Sequence, residues 1–423
     1  MFSTSKSRPQ QYVAAVLSIM LVGLLNTSSA IGQMAATASD ASSKTQWIST
    51  WGAAPDSPGP DLSAQTIRQI MRVSVGGDAV RVKISNEYGN KPLHIHAASV
   101  AQHAQGAAIV DASRHSLTLA GKDDFTIAVG DSIVTDAVDM PVKALQELAV
   151  SLYFAEGTGA TTIHSTGMQT AYISNGEDQT KMINPRVDNK DDSRYFVSDI
   201  QVRTGEKVRT IVVIGDSITD GIGTADDSNT RWPDQLADRL QTHKHLQDIA
   251  VVNSGISGNR ILNDGFDPFL GPSTLKRFDR DVLGKANVQW IILLQGSNDI
   301  TASGMFDDAK QKVTTDQIIA GMKIVIARAH EHGIKIMGST ILPRGGSTGA
   351  RAVTPKMNAE RELVNAWIRG ENQFDAIVDF DKIMRDPVQP SRLLAAYNSG
   401  DFTHPNAAGY RAMAAAINLK LFE

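Results

Sequence analysis

Hydrophobic and polar positions follow two different periods along this chain. From Trp47 to about Ser198 they alternate, most clearly in residues 80–84 (VRVKI), and clusters of Gly, Asp and Asn separate the alternating runs. This period is typical of strands with one buried face. Only residues 64–71 show a short stretch of helical spacing. The first half is therefore predicted to be an antiparallel β-sandwich or jelly roll with at most one short helix.

From Arg209 onward the pattern changes to short apolar runs without alternation, separated by amphipathic stretches. The apolar runs are residues 210–214, 249–252, 289–294, 334–337 and 376–380. The clearest amphipathic stretches are residues 232–243, 315–332 and 357–369. Buried strands alternating with helices predict a five-stranded parallel sheet that is covered by helices on both faces.

The N-terminus has the pattern of an export signal. Lys6 and Arg8 precede an apolar run at residues 12–25, and Ser28–Ala30 offers small residues for cleavage. The run is short for a membrane span, so a signal peptide at 1–30 is favoured over an uncleaved anchor helix. A disordered spacer at 31–44, a β-rich domain at 45–198 and a catalytic domain at 205–423 complete the predicted organisation. The protein is therefore expected outside the cytoplasm, either secreted or periplasmic.

Composition excludes several classes of protein. The 423 residues carry a formal net charge of -4, with 42% hydrophobic and 20% charged residues, which is typical of a globular protein. There is no basic excess of the kind that binds nucleic acid, so no nucleic-acid partner is expected. The sequence contains no cysteine. An exported fold would therefore be held by packing alone, without disulfides.

Four polar blocks follow the predicted strands or precede the last helix. Ser217 lies in GDSITDG after the first apolar run of the second half, Gly258 in NSGISGN after the second, and Asn298 in GSND after the third. Asp401 and His404 share the block DFTHPN near the C-terminus. Each block alone is also common in ordinary turns and helix caps. Because parallel strands present their carboxyl ends at one edge of a sheet, the blocks are expected to lie together.

The residue types in these blocks suit acyl transfer. A serine between a strand and a helix exposes its hydroxyl close to backbone N–H groups that can stabilise an anion. A carboxylate three residues before a histidine can hold one ring nitrogen and leave the other facing the serine. We therefore predict Ser217 as nucleophile, His404 as general base and Asp401 as the carboxylate that orients it.

Together the blocks resemble the SGNH or GDSL hydrolase superfamily, whose members carry Ser, Gly, Asn and His in this order. The resemblance covers about residue 209 to the C-terminus and implies a flavodoxin-like three-layer α/β/α fold with carboxylic ester hydrolase activity. It also implies an oxyanion hole formed by the Ser217 N–H, the Gly258 N–H and the Asn298 amide. No metal or other cofactor is implied.

A more detailed sequence similarity is to secreted acylhydrolases related to esterases of rumen xylan gene clusters. It comprises SGNR at 257–260, RFDRD at 277–281 and a Trp-rich start to the β-rich region at 47–51. Thr301 departs from the glycine expected after the Asn-Asp-Ile of the third block. This resemblance favours short-chain acyl esters of carbohydrate, acetyl esters above all, as substrates. A lipase or arylesterase of broad acyl specificity is the alternative, and a catalytically idle carbohydrate-binding or adhesion protein is an alternative of another class.

Other motifs compete with this assignment. Residues 345–349 (GGSTG) match a nucleophile elbow with Ser347, and Asp379 and His404 follow in the required order, but no helical pattern follows the serine at once. Phe266, Phe269 and Leu270 are candidates to line an acyl site. Three further polar motifs are expected to be solvated rather than metal-binding. They are His94 with His96 on one strand face, His330 to His332, and Asp226 to Asn229.

Overall fold

The structure is a computed structural model that describes residues 45–205, 207–306, 308–348, 352–370 and 373–423. The predicted signal peptide at 1–30 and the spacer at 31–44 lie outside the described residues. Residues 43–423 form one compact unit. The division of this unit into two domains near residue 200 stays a prediction. No helix among the described residues has the length and apolarity needed to cross a bilayer.

The first half is antiparallel and β-rich, as predicted. Its strands are β1 Thr45–Gly52, β2 Ser57–Gly59, β3 Gln65–Arg72, β4 Ala79–Ser85, β5 Leu93–Ile95, β6 Ala97–Gln102, β7 His115–Ser116, β8 Phe125–Ile127, β9 Ser132–Val134, β10 Glu147–Phe154, β11 Thr161–His164, β12 Ala171–Asn175, β13 Asn189–Asp191, β14 Arg194–Tyr195 and β15 Val197–Gly205. The two larger sheets have the strand orders β1-β15-β4-β9 and β13-β12-β3-β10-β6-β7. They share one apolar core, to which Val82, Val150 and Ile200 contribute fully buried side chains.

Residues 64–71, the one stretch of the first half with helical spacing, are not helical. They form most of β3, which lies inside the six-stranded sheet between β10 and β12. Six consecutive residues of this strand are buried because both faces of the sheet are covered there. Ile67, Ile70 and Met71 are therefore not confined to alternate positions, and their spacing imitates one face of a helix.

The second half contains the predicted parallel sheet. Its strands are β16 Arg209–Gly215, β17 Ile249–Gly255, β18 Val288–Leu294, β19 Lys335–Ser339 and β20 Ala376–Val378. The strand order is β17-β16-β18-β19-β20, and every pairing is parallel. After β16 the chain adds β17 on one side and the remaining strands on the other, so the direction of strand addition reverses at β16. Ligands of such sheets bind at this point, beyond the carboxyl ends of the strands.

Helices cover both faces of this sheet and give the predicted three layers. They are α1 Ser217–Asp220, α2 Trp232–Thr242, α3 Thr274–Phe278, α4 Ser297–Met305, α5 Thr315–Glu331, α6 Pro355–Gly370, α7 Phe380–Met384 and α8 Ala407–Ala416. On one face Ile211 packs in a core with residues of α2, α7 and α8. On the other, Val212 packs with residues of α3 to α6. The neighbouring strand residues thus face opposite layers.

The β-rich half packs against β17, the edge strand of the parallel sheet. The Val251 N–H donates to Ser74 Oγ at 2.9 Å, and Ala250 belongs to the core of the β-rich half. Lys285 donates to the Ser198 carbonyl at 2.9 Å. The Ser74 contact satisfies a backbone N–H on a strand edge that would otherwise be unpaired.

Candidate active site

Ser217 is the first residue of α1 and follows β16 by one residue. Asp216, between them, caps the helix, since its Oδ1 accepts the Ile218 N–H at 3.1 Å. The Asp216 side chain is buried, and this burial raises its pKa to about 6, against the opposing effects of the Ile218 hydrogen bond and of the nearby Arg344 charge. The cap stabilises the sharp strand-to-helix turn at which Ser217 faces the cavity.

A continuous hydrogen-bonded chain joins Ser217 to the C-terminal block. Ser217 Oγ lies 2.8 Å from His404 Nε2, and His404 Nδ1 lies 2.5 Å from Asp401 Oδ2. Because the carboxylate accepts, Nδ1 carries the ring proton and Nε2 is left to accept from the serine. The structure therefore brings together the three residues predicted as nucleophile, base and orienting carboxylate.

The loop before α8 presents Asp401 as an ionised carboxylate. Partial burial acts to raise the pKa of Asp401, but the hydrogen bond to the His404 ring and the N–H groups of His404 and Thr403 lower it well below its usual range. The two N–H donors reach Oδ1 at 2.8 and 2.9 Å. Asp401 is thus charged at neutral pH and can stabilise a protonated His404.

Gly258 lies beside the serine, on the loop after β17. Its φ is +73°, and a Cβ there would lie 2.3 Å from Leu270 Cδ2, so the position requires glycine. Within the described part of the chain, neither the Gly258 N–H nor the Ser217 N–H donates to a protein atom. Both N–H groups can therefore donate to a ligand.

Asn298 is in the first turn of α4, at the end of β18. Its Nδ2 donates to the Asn259 carbonyl at 3.1 Å and lies 3.4 Å from Asp216 Oδ2. The second distance is too long for a strong hydrogen bond, so one amide hydrogen is only weakly held. The third candidate donor thus lies next to the same turn as Ser217.

Buried polar side chains fix the loop that carries Gly258. Asn259 is fully buried and donates to the Leu270 and Pro272 carbonyls at 3.1 and 2.8 Å. The Asp299 carboxylate accepts the Ile261 N–H at 3.0 Å. Since the residues that follow Gly258 are tied to the surrounding fold, this side of the loop is held in place before any ligand binds.

A cavity of about 310 Å³ opens over these groups. Its polar wall is formed by Ser217, Gly258, Asn298 and His404, and its apolar wall by Ile218, Ile222, Phe266, Leu270, Ala302 and Met305. The predicted acyl-site residues Phe266 and Leu270 line the cavity. Phe269 does not, and it is half-exposed.

Arg344 and Thr301 line the same cavity, a role that the sequence did not predict for either. The buried Arg344 guanidinium donates to Thr301 Oγ1 at 2.6 Å and to Ser297 Oγ at 3.1 Å. Thr301, where the family pattern has glycine, therefore holds a cation at the cavity wall instead of merely changing the loop path. No local signal marks this pair, because 43 positions separate the two residues.

His164 of β11 reaches the active-site region from the β-rich half. Its Nε2 lies 3.0 Å from Asp220 Oδ1, and Asp220 Oδ2 accepts the N–H and the hydroxyl of Ser257 at 3.0 and 2.7 Å. Ser257 immediately precedes Gly258. This buried link, also missed in the sequence, connects the β-rich half to the loop of a candidate oxyanion donor.

The alternative nucleophile Ser347 lies in a different environment. Its Oγ donates to the Arg344 carbonyl at 3.1 Å, whereas His404 Nε2 faces Ser217. Asp379 caps α7 and binds Arg369 at 2.7 Å. The two partners that an elbow at Ser347 would need are thus engaged elsewhere.

The remaining polar motifs all have partners. His330 pairs with Asp375 at 2.9 Å, and Asp227 accepts the N–H and hydroxyl of Thr170. His94, expected to be merely solvated, instead meets two carboxylates, those of Asp124 and Glu156.

The region that matches a known protein family lies in the α/β half. Residues 213–412 match the model of the GDSL-like lipase/acylhydrolase family. A GDSL-like lipase from Bacteroides thetaiotaomicron is similar in structure, with 20% identity over 51% of this chain and 88% of its own, at a TM-score of 0.37. An acetylxylan esterase from Geobacillus stearothermophilus is 22% identical over 49% of this chain and 91% of its own, at a TM-score of 0.36. No curated protein matches the sequence significantly.

Proposed function

Since residues 213–412 are a domain of the GDSL-like lipase/acylhydrolase family, and the chain is therefore a carboxylic ester hydrolase, we propose that it removes short acyl groups from carbohydrate esters. Acetyl is the preferred acyl group in this proposal. The hydrogen-bonded chain from Ser217 through His404 to Asp401, open to a cavity, is the observation that carries it. The export signal predicted at 1–30 supports a substrate outside the cytoplasm.

The proposed reaction has two acyl-transfer steps. Ser217 Oγ attacks the ester carbonyl while its proton passes to His404 Nε2, and Asp401 stabilises the resulting imidazolium. The tetrahedral intermediate collapses, the ester C–O bond breaks, and the proton moves from His404 to the leaving alcohol. Water then attacks the acyl-enzyme with His404 again as base, and the carboxylic acid leaves.

Three donors are proposed to hold the oxyanion of each intermediate. The Ser217 and Gly258 N–H groups have no protein acceptor in the described chain, and the Asn298 amide lies at the same wall. Donors fixed before the reaction stabilise developing charge without reorganisation, and each is worth about 3 kcal/mol in measured cases. The buried contacts of Asn259 and Asp299 supply that rigidity.

Cavity size and lining support a small acyl group. A volume of about 310 Å³ lies at the lower limit for small-ligand sites, which leaves room for a short acyl chain and part of its alcohol. The Arg344 guanidinium beside the polar wall suits a carrier rich in hydroxyl oxygens, because guanidinium hydrogens only donate.

One observation favours the alternative of an arylesterase or lipase. Phe266 and Met305 of the cavity wall are 53% and 41% exposed, and an apolar rim of this kind can bind an aryl group or a longer chain. A carbohydrate-binding protein without catalysis would have no use for the Ser217–His404–Asp401 chain.

Hydrolysis of a graded ester panel tests the proposal. We expect kcat/KM to be highest for p-nitrophenyl acetate and to fall steadily from the butyrate to the decanoate ester. We also expect acetate to be released from acetylated xylooligosaccharides. Activity should fall because the cavity cannot enclose a long chain. The Ser217→Ala protein supplies the background rate. A maximum at octanoate or decanoate would favour the lipase alternative, and absence of turnover on every ester would leave only the binding protein.

Asn298→Ala is expected to lower kcat on p-nitrophenyl acetate about 100- to 1,000-fold, with a much smaller effect on KM. The reason is that the amide donates to charge that develops only in the transition state. Steady-state kinetics measure both constants. Asn263→Ala is the matched control, since Asn263 does not line the cavity and its amide donates to the Lys310 carbonyl at the surface. An unchanged kcat in Asn298→Ala would remove this residue from the oxyanion hole.

A further inference from the structure

Two histidines and two carboxylates meet at a corner of the β-rich half, away from the cavity that contains Ser217. His94 lies in β5 and His96 follows that strand directly. Side chains alternate here, so the two histidines face outward, whereas Leu93 before them and Ile95 between them are fully buried. Asp124 precedes β8, which pairs with β5, and Glu156 follows the end of β10. None of the four residues lines the cavity.

The two ring nitrogens of His94 face two different carboxylates. Its Nε2 lies 2.6 Å from Asp124 Oδ1. Because a carboxylate only accepts, the Nε2 position carries the proton. Nδ1 lies 3.4 Å from Glu156 Oε1, which also only accepts, so without an ion the ring can carry a second proton there, and a metal ion would displace that proton. A histidine that donates one N–H to a carboxylate and turns its other nitrogen to a second ligand has the usual arrangement around a protein-bound metal.

His96 presents an unprotonated nitrogen to the same space. The Ala155 N–H donates to His96 Nδ1 at 3.1 Å, so that nitrogen has its lone pair directed to the segment that carries Glu156. The two imidazole rings lie side by side, with centroids 3.9 Å apart and planes tilted by 34°. One ligand atom from each of His94, His96 and Glu156 can be chosen so that all lie within 4.8 Å of one another.

The backbone around the cluster is fixed independently of any metal. His94 is paired with Thr126 across β5 and β8, and the His96 N–H donates to the Tyr153 carbonyl of β10 at 3.0 Å. The segments that carry the four side chains are therefore neighbours in one hydrogen-bonded framework, so a bound ion would require only side-chain adjustment.

We propose that His94, His96 and Glu156 bind a divalent transition-metal ion of the zinc type, with Asp124 as the carboxylate that orients His94. Two imidazole nitrogens and one carboxylate oxygen are a common zinc ligand set, and water completes the tetrahedron. Ligand atoms on a tetrahedral zinc ion lie about 3.4 Å apart, given bond lengths of about 2.0–2.1 Å. The His94 Nδ1 to Glu156 Oε1 separation already has this value. Binding exchanges the Ala155 hydrogen bond to His96 for a metal contact and clamps the β5–β6 corner to the end of β10.

Titration of zinc chloride into the untagged chain by isothermal calorimetry tests the site. We expect one zinc ion to bind per chain, and His94→Ala and Glu156→Gln to weaken binding by about a hundredfold or more. Asp124→Asn is expected to weaken it 10- to 100-fold, the usual effect of removing a carboxylate behind a metal-bound histidine. Circular dichroism in EDTA should show the same fold for every variant, since all four side chains are at the surface.

A second alternating pair of histidines supplies the matched control. His243 and His245 have ring centroids 6.4 Å apart and one distant carboxylate, that of Glu423, 3.9 Å from His243. The double variant His243→Ala, His245→Ala should bind zinc as tightly as the unaltered chain. The proposal is overturned if the unaltered chain binds no zinc, which would leave the cluster as an ion-pair network. It is also overturned if His94→Ala binds as tightly as the unaltered chain, or if the His243/His245 variant is the one that loses binding.

Discussion

Ser217→Ala is expected to reduce kcat on p-nitrophenyl acetate by about a millionfold, the effect of removing the nucleophile in a comparable serine hydrolase. The hydroxyl oxygen lies 2.8 Å from His404 Nε2, to which it can donate its proton. Alanine loses only the Oγ atom at a helix start already capped by Asp216, so the fold should not change. Initial rates and the urea midpoint measure the two effects separately.

Ser347→Ala is the control for this substitution. Ser347 also stands in a Gly-x-Ser-x-Gly sequence, yet its hydroxyl donates to the Arg344 carbonyl. We expect the control to retain nearly full activity. Full activity in Ser217→Ala together with loss in Ser347→Ala would overturn the assignment of the nucleophile.

His164→Leu is expected to lower the free energy of unfolding at pH 7 by about 3–5 kcal/mol, the usual effect of breaking a buried ion pair from one side. His164 Nδ1 lies 2.8 Å from the Ala54 carbonyl and Nε2 lies 3.0 Å from Asp220. Both partners can only accept, so both ring nitrogens carry protons and the imidazole is charged. Leucine would leave the buried carboxylates of Asp220 and Asp56 without their shared cation.

The same residue should make stability depend on pH. Burial lowers the pKa of His164, but the Asp220 charge and hydrogen bond, with the Asp56 charge, raise it to about 9. A folded-state pKa above the unfolded value of about 6.5 stabilises the fold fully below pH 6.5, and this stabilisation is lost as pH rises through about 9. The stabilisation lost is about 3 kcal/mol, because the pKa rises from 6.5 to about 9 and each pKa unit is worth about 1.4 kcal/mol.

Urea unfolding at several pH values between 6 and 10 measures this contribution as the difference between the unaltered chain and His164→Leu. The difference should shrink as pH rises through 9. His103→Leu is the control, because His103 pairs with one partly exposed carboxylate, that of Glu147, and should contribute about 1 kcal/mol or less. A difference that does not change with pH would mean that His164 is uncharged in the folded protein.

The link through Asp220 also predicts a kinetic effect of His164→Leu. Asp220 holds Ser257, so loss of its cation should loosen the loop that presents the Gly258 N–H. We expect kcat to fall more than KM rises in the fraction that remains folded, because the oxyanion forms only in the transition state.

Local patterns in the sequence determined most of the α/β half. Strand and helix periods depend on residues a few positions apart, so all five parallel strands and the three long helices are where the pattern predicts them, within a few residues. The carboxyl ends of parallel strands must share an edge, which is why Ser217, Gly258 and Asn298 line one cavity. The spacing of Asp401 and His404 likewise determined their contact.

Only the tertiary structure decided which distant side chains meet. His164 and Asp220 are 56 positions apart, and His94 and Glu156 are 62 apart. No local period records such pairings, since they depend on how sheets stack and strands register. The same reason explains β3. Its apolar spacing favours a helix, but pairing with β10 on one side and β12 on the other makes it a strand. The residues of the Ser217–His404–Asp401 chain could thus be identified from the sequence, whereas the contacts that join the β-rich half to the cavity could not.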